Sequence, residues 1–239
     1  MGKLSGKIAV VTGGTGGLGR AVVLELLKED ATVIVTHRET EASLNFIRKT
    51  QKAFSRLEHR NVDVTSENSV KKFYEEILKR YKRLDVLCNL VGGVSQKKFI
   101  EEISLNEWNA MMALNLHSCF FMMREALREM KKSGWARIIN ITAMPAVIPE
   151  AKRGGYGIAK AGVITLTKTA AEEVKEFGDI TVNAIAPSII LTEENKTWGT
   201  EEEFKKWVTP EQIAEMIIYL CINSGAAING QTIQMYGKV

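Results

Sequence analysis

Tyr156 and Lys160 are the residues of this sequence whose types and spacing point most directly to chemistry. They lie four residues apart, so in a helix both side chains project from one face. An isolated tyrosine has a pKa of about 10 and is a poor acid or base at neutral pH. A nearby ammonium group stabilises the phenolate and lowers that pKa, which lets the phenol protonate a carbonyl oxygen or deprotonate an alcohol. Such a pair is often only structural, so its meaning depends on the elements that position it.

A glycine-rich stretch near the start of the chain predicts where a cofactor binds. Residues 7–11 have the composition of a short buried strand, and residues 20–28 have an apolar helical face. Glycines between them let the backbone approach an anion, and the helix N-terminus adds free N–H groups and partial positive charge. The strand and helix favour nucleotide binding over a plain chain reversal. The residues predicted to form this cradle are Gly13, Gly14, Thr15, Gly16, Gly17, Leu18 and Gly19.

Strand and helix patterns alternate along the whole chain, with no repeat, low-complexity segment or dividing linker in the sequence. The predicted strands cover 7–11, 31–36, 61–64, 84–88, 137–141, 180–186 and 232–235. The predicted helices cover 20–28, 41–54, 66–81, 104–132, 153–177 and 210–222. Repeated βα units predict an α/β fold, a Rossmann-type doubly wound parallel sheet of about seven strands with helices on both faces. The 239 residues suit one such domain over 1–239.

The polar and otherwise unusual residues gather where the predicted strands end. In open parallel sheets, ligands bind at the carboxyl ends of the strands. The residues at these ends, taken strand by strand, are His37, Arg38, Asp63, Asn89, Thr142, Ala143 and Pro187. Because they recur in successive units, the sequence predicts a single site along one edge of the sheet.

The end of the second strand indicates which cofactor is bound. A carboxylate there would bind the adenosine ribose hydroxyls of NAD, but the sequence has His37 and Arg38 instead. A guanidinium at this point can pair with a 2′-phosphate, so NADP is favoured over NAD. The alternative is that Arg38 is a solvated loop residue. His37 either stacks on the adenine or faces water, and the sequence does not decide between the two.

Composition excludes several other classes of protein. The net charge of +4 is mild, and no basic tract with interleaved aromatic residues predicts nucleic-acid binding. No stretch of the sequence is long and apolar enough to predict a membrane span. The three cysteines are Cys88, Cys119 and Cys221, whose odd number and wide spacing argue against disulfides and a zinc site. They favour a reducing compartment, so a cytoplasmic location is expected.

Several motifs together resemble the short-chain dehydrogenase/reductase family, in particular the group that includes the 3-oxoacyl-[acyl-carrier-protein] reductases. The resemblance covers nearly the whole chain. The residues that carry it are Thr12, Gly13, Gly17, Gly19, Asp63, Val64, the segment 89–92, Asn115, Tyr156, Lys160, the segment 187–192 and the segment 228–232. The family transfers a hydride between a nicotinamide cofactor and a carbonyl or secondary alcohol, so the resemblance implies an oxidoreductase with a small-molecule substrate.

The resemblance also implies roles for individual residues. Tyr156 would be the general acid or base, Lys160 would lower its pKa and hold the nicotinamide ribose, and Asn115 would support a water relay to the lysine. The residues implied to contact the cofactor beyond the glycine turn are His37, Arg38, Asp63, Val64, Asn89, Gly92, Tyr156, Lys160, Pro187, Ile190 and Thr192. In this group Asp63 and Val64 correspond to the adenine contact, and the segment from Pro187 to Thr192 corresponds to the one that holds the carboxamide.

One departure from the family pattern bears on catalysis. Thirteen residues before the tyrosine the family has a serine that hydrogen-bonds the substrate oxygen, whereas this sequence has Ala143. Losing one such donor typically costs about a hundredfold to a thousandfold in rate. Thr142 could substitute only if the strand end bends, because neighbouring residues on a strand point to opposite faces. The alternative is a dinucleotide-binding protein with little turnover, acting as a sensor or a non-catalytic subunit.

Two further segments have predicted roles. Residues 193–208 are expected to form a short lid over the substrate, where Trp198 and Trp207 either touch the substrate or pack on the core. The helix at 104–132 carries more methionine and phenylalanine than one buried face needs. In the resembling family this helix and the one at 153–177 build a subunit interface, so a homo-oligomer, either a dimer or a tetramer, is expected.

Overall fold

A computed structural model describes residues 2–222 and 227–239 of the chain. Within them, seven strands form one parallel sheet in the order β3-β2-β1-β4-β5-β6-β7. The strands are β1 (Ile8–Thr12), β2 (Thr32–His37), β3 (Leu57–Asn61), β4 (Val86–Asn89), β5 (Trp135–Ile141), β6 (Asp179–Pro187) and β7 (Thr232–Met235). The predicted single-domain, Rossmann-type fold is confirmed.

Helices connect successive strands and cover both faces of the sheet. They are α1 (Gly17–Lys28), α2 (Glu41–Ala53), α3 (Glu67–Tyr81), α4 (Leu105–Met112), α5 (Ser118–Ser133), α6 (Gly154–Glu173), α7 (Glu201–Phe204) and α8 (Pro210–Ile222). Short 3₁₀ turns occur at Ile100–Glu102, Met144–Ala146 and Asn195–Trp198. No helix among the described residues has both the length and the apolar character required to cross a membrane.

Two hydrophobic layers enclose the sheet, one on each face. Val11 packs in one layer with side chains from α1 and α8, and the adjacent Val10 packs in the other with side chains from α3 and α5. Both valines are fully buried. This burial on two faces explains why the central strands consist of continuous apolar runs instead of alternating patterns.

The third strand lies earlier in the sequence than predicted. It covers Leu57–Asn61, whereas the prediction was 61–64. The strand reads Leu-Glu-His-Arg-Asn and pairs only with β2, at the edge of the sheet. An edge strand need not be apolar, so the hydrophobic pattern that identified the central strands is missing. Asp63 therefore follows β3 and does not end it.

The predicted helix at 104–132 is interrupted. It begins as expected with a capping box, in which Ser104 Oγ accepts from the Glu107 N–H. A π-helical turn at Ala113–His117 then separates α4 from α5. Such turns are rare, often occur at functional sites, and leave no hydrophobic-period signature that a sequence would show. This one contains the buried Asn115.

The strand order reverses at β1, which lies between β2 and β4. Thr12 at the end of β1 pairs with Thr36 of β2 and with Asn89 of β4. The connections from these strands leave in opposite directions, which opens a crevice at their carboxyl ends, the usual ligand site of this architecture.

Candidate active site

The glycine turn between β1 and α1 forms the floor of this crevice. Gly13 has a φ of +64°, in the left-handed region that favours glycine. A Cβ atom on Gly19 would lie 2.2 Å from the carbonyl oxygen of Gly13, so a side chain there would force the turn and helix apart. Gly16 is the N-cap of α1, and no side chain caps the first N–H groups of the helix. This arrangement can bind an anion at the helix N-terminus.

A cleft of about 780 Å³ extends from the glycine turn past the ends of β2 and β3 to the loop after β4. The predicted residues that line it are Gly13, Thr15, Gly16, Gly17, Leu18, Gly19, His37, Arg38, Asp63, Val64 and Gly92. Gly14 does not line the cleft, because it packs against Val35: a Cβ on Gly14 would lie 2.6 Å from the Val35 side chain.

Several further residues of the cleft wall were not among the predicted contacts. They are Arg20, Thr36, Thr40, Ala42, Ser43, Asn61, Val62, Thr65, Leu90, Val91, Leu114 and Glu194. Most are close neighbours of predicted residues and could have been found by widening each motif. Leu114 and Glu194 come from distant segments that only the tertiary fold brings to the cleft.

The residues of the cleft fit a dinucleotide. The volume of the cleft lies in the usual range for ligand pockets, about 300–1,000 Å³. The floor of the cleft is glycine backbone, where side chains of larger residues would clash with neighbouring atoms. The Asp63 carboxylate at the wall is fixed by the Thr65 N–H and hydroxyl, at 2.9 and 2.6 Å. Within the described ranges, no group of three His, Cys, Asp or Glu side chains is placed to hold a metal ion.

The end of β2 holds a pair of histidines. His37 is buried, and its Nε2 lies 3.1 Å from Nδ1 of His59, so one ring donates and the other accepts. Burial lowers the pKa of His59, and the neighbouring His37 lowers it further. Of the two alternatives for His37, free projection into water is therefore excluded. Arg38 is exposed at the rim of the same cleft.

Asn115 anchors the loop that follows β4. Its Oδ1 accepts from the Gly93 N–H at 3.0 Å, and its Nδ2 donates to the carbonyl oxygens of Gly93 at 2.9 Å and Met111 at 3.2 Å. Asn115 belongs to the π turn, and its side chain is buried there instead of projecting from the helix surface. The π turn thereby positions the amide for these contacts. The amide thus ties the helix to the loop that contains Gly92.

Lys160 is buried beneath that loop. Its Nζ donates to the carbonyl oxygen of Ile141 at 2.9 Å, and burial lowers its pKa from 10.5 to about 8. A Cβ atom on Gly92 would lie 2.7 Å from Lys160 Nζ and 2.8 Å from Asn115 Oδ1. The three residues therefore meet at one point at the end of the cleft.

Tyr156 is half-buried on the same helix, and no described residue hydrogen-bonds its hydroxyl. Burial raises its pKa to about 12, and the Arg153 guanidinium partly opposes that rise. Lys160 was expected to lower the pKa of Tyr156. That lowering is absent, because desolvation of the phenol dominates. The free hydroxyl can still meet a substrate oxygen.

Thr142, the predicted stand-in for the missing serine, joins the sheet to α6. Its N–H continues the sheet by donating to Ile185 at 2.8 Å, so the strand end does not bend as the substitution requires. Its buried hydroxyl donates to the carbonyl oxygen of Lys160, also at 2.8 Å. This hydroxyl thus fixes α6 against the sheet, which argues against the stand-in role, and that role stays a prediction. Ala143 follows it at the start of the 3₁₀ turn.

Asn89 lies below the cleft and not in its wall. Its Nδ2 donates to Asn140 Oδ1 at 2.9 Å, and Asn140 Nδ2 donates to Thr167 Oγ1 at 2.9 Å. All three side chains are buried. They form a polar network that joins β4, β5 and α6, and Asn89 contributes to the site by holding these elements in register.

The segment after β6 crosses the N-terminus of α1. Ile190 pairs with Val208, and a Cβ on Gly17 would lie 2.6 Å from the Thr192 methyl group. Pro187 ends β6 beneath it. In the expected lid, Trp207 is buried and packs on the core, whereas Trp198 is 53% exposed.

Comparisons with known proteins agree with this geometry. A family model described as short chain dehydrogenase matches residues 7–203. The chain is 30% identical to the 3-oxoacyl-[acyl-carrier-protein] reductase FabG of Aquifex aeolicus, over 98% of each chain. It is 31% identical to a D-beta-hydroxybutyrate dehydrogenase of Rhizobium meliloti, over 97% of each. A solved structure, ElxO with NADP bound, superposes with a TM-score of 0.89 at 30% identity and covers 97% of each chain. The chain therefore belongs to the short chain dehydrogenase family of oxidoreductases.

Proposed function

We propose that this protein is an NADP(H)-dependent oxidoreductase that transfers a hydride between the nicotinamide and a small carbonyl compound or secondary alcohol. The convergence of Lys160 Nζ and Asn115 Oδ1 on Gly92 carries the proposal. It places a buried cation at the far end of a cleft whose floor is an anion-binding turn. Tyr156 lies one helical turn before Lys160, and no described residue hydrogen-bonds its hydroxyl.

The residues present suggest how the cofactor would be held. The glycine turn and α1 would bind the pyrophosphate, and Asp63 and Val64 would contact the adenine. Lys160 has three N–H donors, one of which is on Ile141, so the others are available to ribose hydroxyls or water. Residues 187–192 would hold the carboxamide. The nicotinamide supplies or accepts the hydride when bound.

The chain's own residues would handle the proton. During reduction Tyr156 Oη would donate its proton to the carbonyl oxygen, and in the reverse direction it would accept the proton from the alcohol. Its raised pKa keeps it protonated at neutral pH, which suits the reducing direction. The positive charges of Lys160 and Arg153 would stabilise the phenolate that remains. Asn115 is a positioning residue, since its amide holds the loop and not the reacting oxygen.

NADP is proposed over NAD because Arg38 lines the rim at the end of β2, where an NAD-binding carboxylate is missing. The solved relative ElxO has NADP bound. The test is the Kd for NADPH and for NADH in wild type, Arg38→Ala and, as a control, Arg48→Ala on the exposed face of α2. We expect Arg38→Ala alone to weaken NADPH binding and leave NADH unchanged. Equal effects on both cofactors would contradict the proposal.

Turnover tests the reaction itself. A panel of ketones and aldehydes with NADPH, followed at 340 nm, should give activity that Tyr156→Phe abolishes while cofactor binding persists. The competing function is a binding protein without turnover, which the methyl group of Ala143 favours. It is supported if wild type binds NADPH tightly, reduces nothing, and gains activity only as Ala143→Ser.

We also propose a homo-oligomer built through α4, α5 and α6. Large apolar side chains are exposed on each of these helices: Leu105 is 72%, Phe120 is 38% and Ile158 is 50% exposed. Sedimentation should show a dimer or tetramer that Ile158→Glu dissociates. A wild-type monomer at micromolar concentration would refute this.

Two other expectations stay predictions. One is that residues 193–208 form a lid over the substrate. The other is a cytoplasmic location, which rests on the three buried free cysteines.

A further inference from the structure

Arg153 lies beside Tyr156 and has no role in the function proposed above beyond its charge. It is the N-cap of α6, three residues before the tyrosine, so the two side chains rise from neighbouring positions. Its charge reaches the phenol, since the guanidinium opposes the rise in the pKa of Tyr156. Its side chain is only 18% exposed, so the guanidinium beside Tyr156 is largely shielded from solvent.

The guanidinium is anchored but not neutralised. Nη1 donates to the carbonyl oxygen of Ser95, in the loop after β4, at 2.5 Å. The nearest carboxylate, Glu150, is 3.9 Å from Nε and is itself paired with Lys97 at 2.5 Å. Among residues 2–222 and 227–239, no partner binds Nη2. One edge of the planar fork is therefore available to a ligand.

The surroundings of Arg153 are also cationic. Lys98 pairs with Glu107, and Lys152 lies over the Phe99 ring at 4.3 Å without a carboxylate partner among the described side chains. With Arg153 and Lys97, these are four cationic side chains against three carboxylates, because Glu102 also lies here and accepts from the Phe99 N–H at 2.9 Å. The remaining positive charge favours an anionic substrate over a neutral one.

We propose that Arg153 binds the carboxylate of the substrate, so that this enzyme acts on short oxo acids or the corresponding hydroxy acids. The inference rests on the proposed oxidoreductase function and names its substrate class. A guanidinium pairs with a carboxylate through two parallel N–H···O bonds. Because neighbouring Cβ atoms on one helix face are about 5–6 Å apart, an acid held by Arg153 presents a nearby carbonyl oxygen to Tyr156.

Binding of the carboxylate would also compensate for the hydrogen-bond donor that is missing at Ala143. Two-point attachment to Arg153 and Tyr156 would orient the carbonyl without a serine hydroxyl. In the reduction, the carbonyl carbon receives the hydride with its electron pair, and the oxygen receives the Tyr156 proton. The carboxylate stays unchanged, and solvent returns a proton to the phenolate.

The test compares free acids with their methyl esters. Pyruvate, acetoacetate and levulinate place the ketone at increasing distances from the carboxylate, and each ester removes the charge alone. The variants are Arg153→Gln, which keeps an N–H for Ser95, Arg153→Lys, which keeps the charge, and the control Lys152→Gln. We expect Arg153→Gln to lower kcat/KM for the best acid by about tenfold to a hundredfold, mainly through KM.

Because the Arg153 charge also stabilises the Tyr156 phenolate, Arg153→Gln should slow ester reduction too, and the readout is the ratio of acid to ester kcat/KM. That ratio should fall about tenfold in Arg153→Gln, and Arg153→Lys should restore part of it. A merely structural clamp would lower acid and ester activity equally. Equal losses, or wild-type preference for esters, would overturn the proposal. Thermal melting confirms that each variant is folded.

A binding arm separates failure of this inference from failure of the proposed function. Oxo acid with NADP⁺ forms a complex that cannot react, because no hydride is present. Calorimetry should show binding of the acid, and not of its ester, to wild-type protein saturated with NADP⁺. Loss of binding in Arg153→Gln supports the site even if no turnover is found, whereas unchanged binding refutes it.

Discussion

A single methyl group at Gly92 should inactivate the protein without unfolding it. Gly92→Ala would put a Cβ atom 2.7 Å from Lys160 Nζ and 2.8 Å from Asn115 Oδ1, distances that non-bonded atoms do not adopt. The backbone of Gly92 does not need a positive φ, so the alanine is strained only by these contacts. Both obstructing atoms are side-chain ends, and they must move by about 1 Å to reach ordinary van der Waals separation.

The size of this displacement sets the expected loss of activity. A misplacement of about 1 Å in a catalytic site can cost about a hundredfold in rate, so kcat/KM should fall by roughly that factor. Overpacking of a core costs about 1–3 kcal/mol, and the stability loss should lie at the low end because the end of Lys160 is flexible. The assay is NADPH oxidation with the best carbonyl substrate, together with urea unfolding.

Gly93→Ala is the matched control. Its Cβ would lie 2.9 Å from Leu114 Cδ2, so it adds the same methyl group one residue away against an apolar side-chain end. It should retain most activity. Wild-type kcat/KM in Gly92→Ala, or equal losses in the two variants, would refute the view that Lys160 and Asn115 act at this point.

Three further expectations concern neighbouring residues. Lys160→Met should abolish activity yet raise the free energy of unfolding at pH 7 by up to about 3 kcal/mol, because a folded pKa of about 8 against 10.5 means that the buried ammonium destabilises the fold. In wild type this loss of unfolding free energy is complete below pH 8 and disappears as the pH rises to 10.5, so the protein should become more stable over this range. The control Lys168→Met, at an exposed position, should show the same increase with pH. Glu194→Gln should tighten NADPH binding several-fold, as measured by fluorescence titration, because its carboxylate lines the cleft near Gly17, where phosphates would bind; unchanged affinity would count against this. Thr142→Val should cost about 1 kcal/mol in thermal unfolding with little change in kcat, whereas a large loss of kcat would support the predicted catalytic role of Thr142.

The histidine pair and Arg38 show what neighbouring residues in the sequence can predict and what they cannot. The absence of a carboxylate after β2 is visible in the sequence, and so is the cation that replaces it. Whether His37 projects or packs depends on His59, which comes from the edge strand β3. That strand carries no apolar run, so its position and its pairing with β2 could not be predicted from pattern alone.

The sequence by itself determined the fold and the position of the site within it. Apolar runs such as residues 8–11 and the glycine turn after them are local signals, since strand burial, turn geometry and helix start depend on adjacent residues. The alternation of strands and helices then implies the parallel sheet and places the chemistry-bearing residues at its carboxyl edge. Tyr156 and Lys160 share one face of a helix by spacing alone.

Only the tertiary structure decided which of those residues face the cleft and what surrounds them. Thr142 points into α6, Asn89 lies in a network below the cleft, and Glu194 reaches the glycine turn from a segment far along the chain. Spacing along an element fixes which side chains are neighbours, but burial and hydrogen-bond partners arise between elements. The pKa of Tyr156 follows the same rule, because desolvation and the Arg153 charge are properties of the folded site.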